Sequence, residues 1–120
     1  MTLDNEGAIK LIRFLYDIKK RTLLVLGQKS YTQLHYITKG FIFGYNNAVD
    51  DSLAEHLAKI KTNNIWTNFR NYFGTKHNVY LSVPTQMVNH FGSEESAFDI
   101  FFIELSNFLK ENGIDEPHID

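Results

Sequence analysis

Cysteine is absent from the 120 residues. That excludes disulfide staples, thiolate metal sites and a thiol nucleophile, and it fits a reducing cytoplasm, where the chain is expected to act. Also absent is any apolar run near the roughly 18–20 residues of a membrane span. The opening MTLDNEGAIK carries two acids before its first base, so it does not read as a secretory signal. Local catalytic motifs are missing as well. There is no GxGxxG or GxxxxGK[ST] to cradle phosphates, no GxSxG to present a serine, and no HExxH. The five histidines, His35, His56, His77, His90 and His118, include no HxxxH pair, so local spacing gives no metal site. The expectation is a protein without cofactor, metal or enzymatic activity.

What is present is material for a core. Hydrophobic residues make up 43% of the chain, and the aromatics are 10 Phe, 6 Tyr and 1 Trp. No repeat, low-complexity tract or linker interrupts residues 1–120, so they read as a single domain. The most informative run is SEESAFDIFFIELSNFLKENG at 93–113. Ser93 reads as its N-cap, with Glu94 and Glu95 in the first turn, where the helix dipole favours negative charge. Lys110 stands in the last turn, and Asn112-Gly113 supplies a left-handed stop. Between those ends Ala97, Phe98, Ile100, Phe101, Phe102, Ile103, Leu105, Phe108 and Leu109 cover most of the circumference. That places the helix centrally in the core.

The other elements follow from period and punctuation. A first helix is predicted over about 4–20, with Ile9, Ile12, Leu15 and Tyr16 on one stripe, broadened by Leu11, Phe14 and Ile18. The apolar run 22–27 reads as an extended buried segment or a continuation of that helix. Ser30 and Gln33 form a capping box that opens a helix ending near 45–47, with Leu34, Ile37, Phe41 and Tyr45 on one face. Gly40 and Gly44, four apart within it, predict a close approach by another helix. A second capping box, Ser52 with Glu55, opens a helix over 52–61. Ile65, Trp66, Phe69, Tyr72 and Phe73 mark a further helix stopped by Gly74. Residues 79–83 alternate like a strand. Pro84 starts a short helix through His90, ended by Gly92. The fold class is therefore mainly α, a compact single-domain bundle of five or six helices, with an acidic tail over 113–120.

Charge is unevenly distributed. Residues 1–93 carry 11 bases and 6 acids, a balance of +5; residues 94–120 carry 1 base and 8 acids, a balance of −7; together they give the chain's net −2. Such asymmetry bears on partners rather than on fold. One stretch mixes bases with aromatics, as single-strand binders do: Lys59, Lys61, Trp66, Phe69, Arg70, Tyr72 and Lys76. The blander reading is that Ile65, Phe69 and Tyr72 fall at core spacing and the bases line a helix surface.

Three segments, LGQKSYTQLHYITKGF at 26–41, FRNYFG at 69–74 and GSEESAFDIFFIELSNFL at 92–109, resemble in that order small bacterial immunity proteins encoded beside polymorphic toxins, including those of contact-dependent growth inhibition. The resemblance spans about 21–110. It departs at Arg21-Thr22, where relatives often read Arg-Pro; Thr22 keeps a backbone donor that proline lacks. What the resemblance implies is a cytoplasmic, non-enzymatic protein that binds a cognate toxin domain, typically a basic nuclease, and neutralises it by occluding its active site. An acidic face would steer association with such a partner. On charge, the candidate contacts are Glu94, Glu95, Asp99, Glu104, Asp115 and Glu116, with Asp50, Asp51 and Glu55 as a second patch. No membrane and no bare nucleic acid is expected as partner. The alternative function is a small helical nucleic-acid-binding or regulatory protein using residues 59–76, and an enzyme without a local motif ranks last.

Overall fold

The computed structural model describes residues 3–48 and 64–119. Among the described residues every element is a helix: α1 Asn5–Lys20, α2 Thr22–Val25, α3 Tyr31–Ala48, α4 Ile65–His77, α5 Pro84–Phe91 and α6 Glu94–Glu111. The expected helix over 52–61 lies outside them.

The helix ends are built by the residues that punctuate the sequence. The Asp4 carboxylate accepts the Gly7 N–H at 2.7 Å and caps α1, whose last turn carries Lys19 and Lys20. Ser30 accepts the Gln33 N–H at 3.2 Å ahead of α3. Asn64 accepts the Thr67 N–H at 2.9 Å and caps α4. Pro84 opens α5, and Gly92, at φ 94°, ends it. Ser93 caps α6 through the Ser96 N–H at 3.0 Å. Its far end is a Schellman stop: Gly113 sits at φ 68°, its N–H reaches the Lys110 carbonyl at 3.2 Å, and the Ile114 N–H reaches Leu109 at 2.9 Å.

α6 is the central element, packed against α3, α4 and α5, while α3 also packs on α1 and α5. Its Phe98, Phe101, Phe102, Leu105, Phe108 and Leu109 are buried, as the breadth of its apolar surface predicts, and Ile103 is left outside. The aromatic cluster centres on the fully buried Phe69 of α4, whose ring lies 5.6 Å from Trp66, 5.6 Å from Phe101 and 5.5 Å from Phe108. Edge and tilted contacts of this kind add to the burial of each ring.

Several expectations are corrected. Residues 79–83 form a turn, not a strand. Val79 and Leu81 are buried and Tyr80 is exposed, so the alternation is real. Its backbone groups, however, are met by a Val83 N–H to Tyr80 carbonyl bond at 3.2 Å and by the Tyr31 hydroxyl, which donates to the Leu81 carbonyl at 2.6 Å. α4 runs through Gly74 to His77 and stops at Asn78, which adopts φ 55°; asparagine tolerates this left-handed region. Gly40 and Gly44 have no described atom within 4 Å of where a Cβ would stand, so no described helix approaches closely there. The glycine that is closely approached is Gly7, where a Cβ would meet the Tyr45 ring at 2.6 Å.

Residues 22–25 continue helically after α1, but only Thr22 is buried: Leu23 is 78% and Leu24 87% exposed. Ile9 and Phe14 likewise face out, and the α1 stripe centres on Ala8, Leu11, Ile12, Leu15 and Ile18. The segment after α6 is no free tail. Ile114 and Ile119 pack against the core, Glu116 accepts from the Tyr16 hydroxyl at 2.8 Å, and Lys20 donates to the Ile119 carbonyl. No described helix is long and apolar enough to cross a membrane.

Candidate functional site

The acidic residues singled out by charge divide into those that face water and those that hold the fold. Asp50, Asp51 and Glu55 lie outside the described residues. Glu94 is structural: its Oε1 accepts the Thr32 N–H at 2.8 Å and the Ser30 hydroxyl at 3.3 Å, and its Oε2 accepts the Thr32 hydroxyl at 2.6 Å. Partial burial works against its ionisation, but these bonds outweigh burial and hold the carboxyl below its usual range. One side chain thus starts α6 and covers the open amide end of α3.

Glu104 is a core residue, 3% exposed. Its carboxylate receives Lys76 Nζ at 2.9 Å, Asn107 Nδ2 at 3.1 Å and the His77 ring. Burial opposes the charge, and the bonds from Lys76, His77 and Asn107 restore it, leaving the group below the normal carboxylate range. Buried charge is tolerated when it is paired in this way. A signal for its position is present in the sequence: Ala97, Phe101, Glu104 and Phe108 are spaced by four, three and four, which is one face of a helix. Glu116 is also engaged, held below its usual range first by a bond from Ser106 and then by Tyr16.

Glu95 and Asp115 are exposed and Asp99 partly so; Glu116, although bonded to Tyr16, is exposed as well. Glu95 and Asp99 are one turn apart on α6, and Ile103, exposed, follows one turn later. Lys29 reaches across to this stripe, 3.0 Å from Asp99 and 4.0 Å from Glu95. It ties the loop after α2 onto α6. Just before that loop stand Leu23, Leu24 and Val25, three consecutive exposed apolar side chains.

Local chemistry explains their exposure. The Thr22 hydroxyl donates to the Ile18 carbonyl at 3.0 Å and to Lys19 at 2.8 Å, fixing α2 against the end of α1. Gly27, at φ 77°, then turns the chain back, and Leu26 alone of the run packs against the core. Leu23 to Val25 are left on the outside of that bend.

Among the described residues the base-and-aromatic stretch divides between core and surface, with Tyr72 half-buried and Lys76 Nζ 5.6 Å from its ring centroid. Trp66 and Phe69 are buried, Lys76 is paired with Glu104, and Lys59 and Lys61 lie outside the described residues. Among the described residues no three metal-binding side chains converge. No protein-family model matches this chain, no curated protein matches it, and no solved structure matches it.

Proposed function

We propose that this chain is an immunity-type protein, a non-enzymatic binder that neutralises a cognate bacterial toxin, a nuclease, in the cytoplasm by occluding its active site. The sequence resemblance supplies the class. The observation that carries the reading is the exposed Leu23-Leu24-Val25 triplet. Its loop is tied by Lys29 to Glu95 and Asp99. Contiguous exposed apolar side chains mark interaction surfaces more often than scattered ones do. An apolar centre with a charged border is the usual layout of a protein interface; Lys19, Lys20 and Arg21 precede the triplet in the chain, and the carboxylates of Glu95 and Asp99 beyond Lys29 are the groups that suit a basic nuclease cleft. In this reading Glu95, Asp99 and Asp115 belong to the contact, whereas Glu94, Glu104 and Glu116 act through the fold.

The test is to mix the purified chain with the nuclease toxin domain made by toxin-bearing cells of its native host. The expected outcome is an equimolar complex in which nuclease activity is lost, and a Leu24→Asp variant that folds normally but forms no complex. A folded wild-type chain that leaves both the toxin's mobility and its activity unchanged rejects the proposal.

A further inference from the structure

A second feature, separate from the α2 surface, is a pocket of about 450 Å³ between α3 and α4. That is within the size range of small-molecule sites. Its floor is apolar: Leu34 and Ile42 from α3, Trp66 from α4 and Phe101 from α6. Leu34, Thr38 and Ile42 recur at four-residue spacing, so one face of α3 lines the cavity, and His35 and Lys39 flank it on the next stripe. Trp66 and Arg70 are one turn apart on α4, so the same face gives both a ring to the floor and a guanidinium to the exposed rim.

The polar groups of the lining are unevenly occupied. The Tyr31 hydroxyl donates to Leu81, and the Thr38 hydroxyl donates to the Leu34 carbonyl at 2.8 Å. Neither is left to meet a ligand with its proton. The cations are different. Elsewhere Lys10, Arg21, Lys29 and Lys76 each pair with a carboxylate. Among the described residues Lys39 and Arg70, like Arg13, Lys19, Lys20 and Lys110, form no ion pair, and no Asp or Glu lines the pocket. Burial, together with the charges of Lys39 and Arg70, holds His35 below its ordinary pKa, so near neutral pH it is an uncharged donor or acceptor beside two fixed positive charges.

We propose that this pocket binds an apolar monocarboxylate, an aromatic ring on a short chain, with the ring against Trp66 and Phe101 and the carboxylate on Arg70 and Lys39. The guanidinium fork matches a planar carboxylate. A dianion such as phosphate would lose more hydration than a monoanion on entering so apolar a cavity, and a neutral ligand would forgo the charge-assisted bonds that Arg70 and Lys39 offer at the rim.

Trp66 is the chain's single tryptophan, so its fluorescence reports occupancy directly. The full chain is titrated with 3-phenylpropionate and, in parallel, with 3-phenylpropan-1-ol and inorganic phosphate. Saturable quenching or shift by the carboxylate at millimolar concentration is expected, with the alcohol and phosphate at least about tenfold weaker. Arg70→Gln, an exposed change that leaves the fold intact, should weaken the carboxylate by about tenfold and leave the alcohol unaltered. Lys39→Gln should act in the same direction. Equal affinity for carboxylate and alcohol, tighter binding of phosphate, no response of Trp66, or an Arg70→Gln variant that binds as wild type each overturns the proposal.

Discussion

The Glu94 carboxylate closes the amide end of α3 by gripping Thr32 twice, at the N–H and at the hydroxyl, at 2.8 and 2.6 Å. It ties together the starts of α3 and α6 through residues 62 apart in the chain. Glu94→Gln keeps the size but loses the charge that both donors favour. It should lower stability by about 1–2 kcal/mol, read as a fall in the urea midpoint at constant slope. A midpoint equal to wild type would mean that Glu94 is a solvated surface acid.

The same groups make stability depend on pH. Glu94, Glu104 and Glu116 all titrate below their ordinary value of 4.5 in the folded protein. A carboxyl whose folded pKa is depressed contributes stability above its unfolded pKa and loses it as pH falls through the folded one. The urea midpoint should therefore be level from neutrality down to about pH 5 on account of these groups and decline below it. Replacing all three by Gln should flatten the decline. An equally steep fall in the triple variant would place the acid sensitivity elsewhere.

Gly7 and Tyr45 give a test of the α1–α3 contact. Glycine to alanine inside a helix usually gains about 1 kcal/mol. Here the added methyl meets the Tyr45 ring at 2.6 Å, and that ring is held by its hydroxyl bond to Asp4 at 3.1 Å and by stacking on Phe41. The clash should win, and Gly7→Ala should destabilise by about 1–3 kcal/mol. In a Tyr45→Leu background the same change should be neutral or stabilising. Additivity of the two changes would contradict the contact. The Tyr45 phenol should also titrate late: burial, then Asp4, push it up to about 12.

Glu104 sets a limit on how far a buried pair governs stability. Removing one partner of a fully buried ion pair costs about 3–5 kcal/mol because the other charge is stranded. Lys76 is half exposed and can return to water, so Glu104→Ala should cost less, about 1–3 kcal/mol. Lys76→Met, which leaves the buried carboxylate to His77 and Asn107 alone, should cost more than Glu104→Ala. The reverse order, measured by thermal unfolding, would show that the carboxylate is not the stranded charge of the pair.

These contacts also show what the sequence could disclose. The limits of α5 and α6 were legible because their signals are local: Pro84 and Gly92 for one, Ser93 and Gly113 for the other. The end of α4 was not, since an asparagine took the left-handed position and Gly74 merely passed through the helix. Gly40 and Gly44 carried the spacing of a close approach, but proximity depends on what packs opposite, and that is Tyr45 on Gly7. Leu23 and Leu24 read as buried from hydropathy, whereas the bend set by Thr22 and Gly27 turns them outward. Net charge could not tell Asp99, which reaches water, from Glu94 and Glu104, which bond inward. The heptad-like position of Glu104 among Ala97, Phe101 and Phe108 held that information.

The α2 surface is where the fold meets the proposed function. Leu23→Asp with Leu24→Asp removes apolar area that is already in water, so the variant should unfold at the wild-type urea midpoint within about 0.5 kcal/mol. The decisive measurement is a growth competition. Susceptible cells expressing either this chain or the double variant are mixed with toxin-bearing cells of the native host. Protection by the wild-type chain and its loss in the equally stable variant is the predicted result. Target cells killed at the same rate with and without the folded wild-type protein would contradict the immunity account.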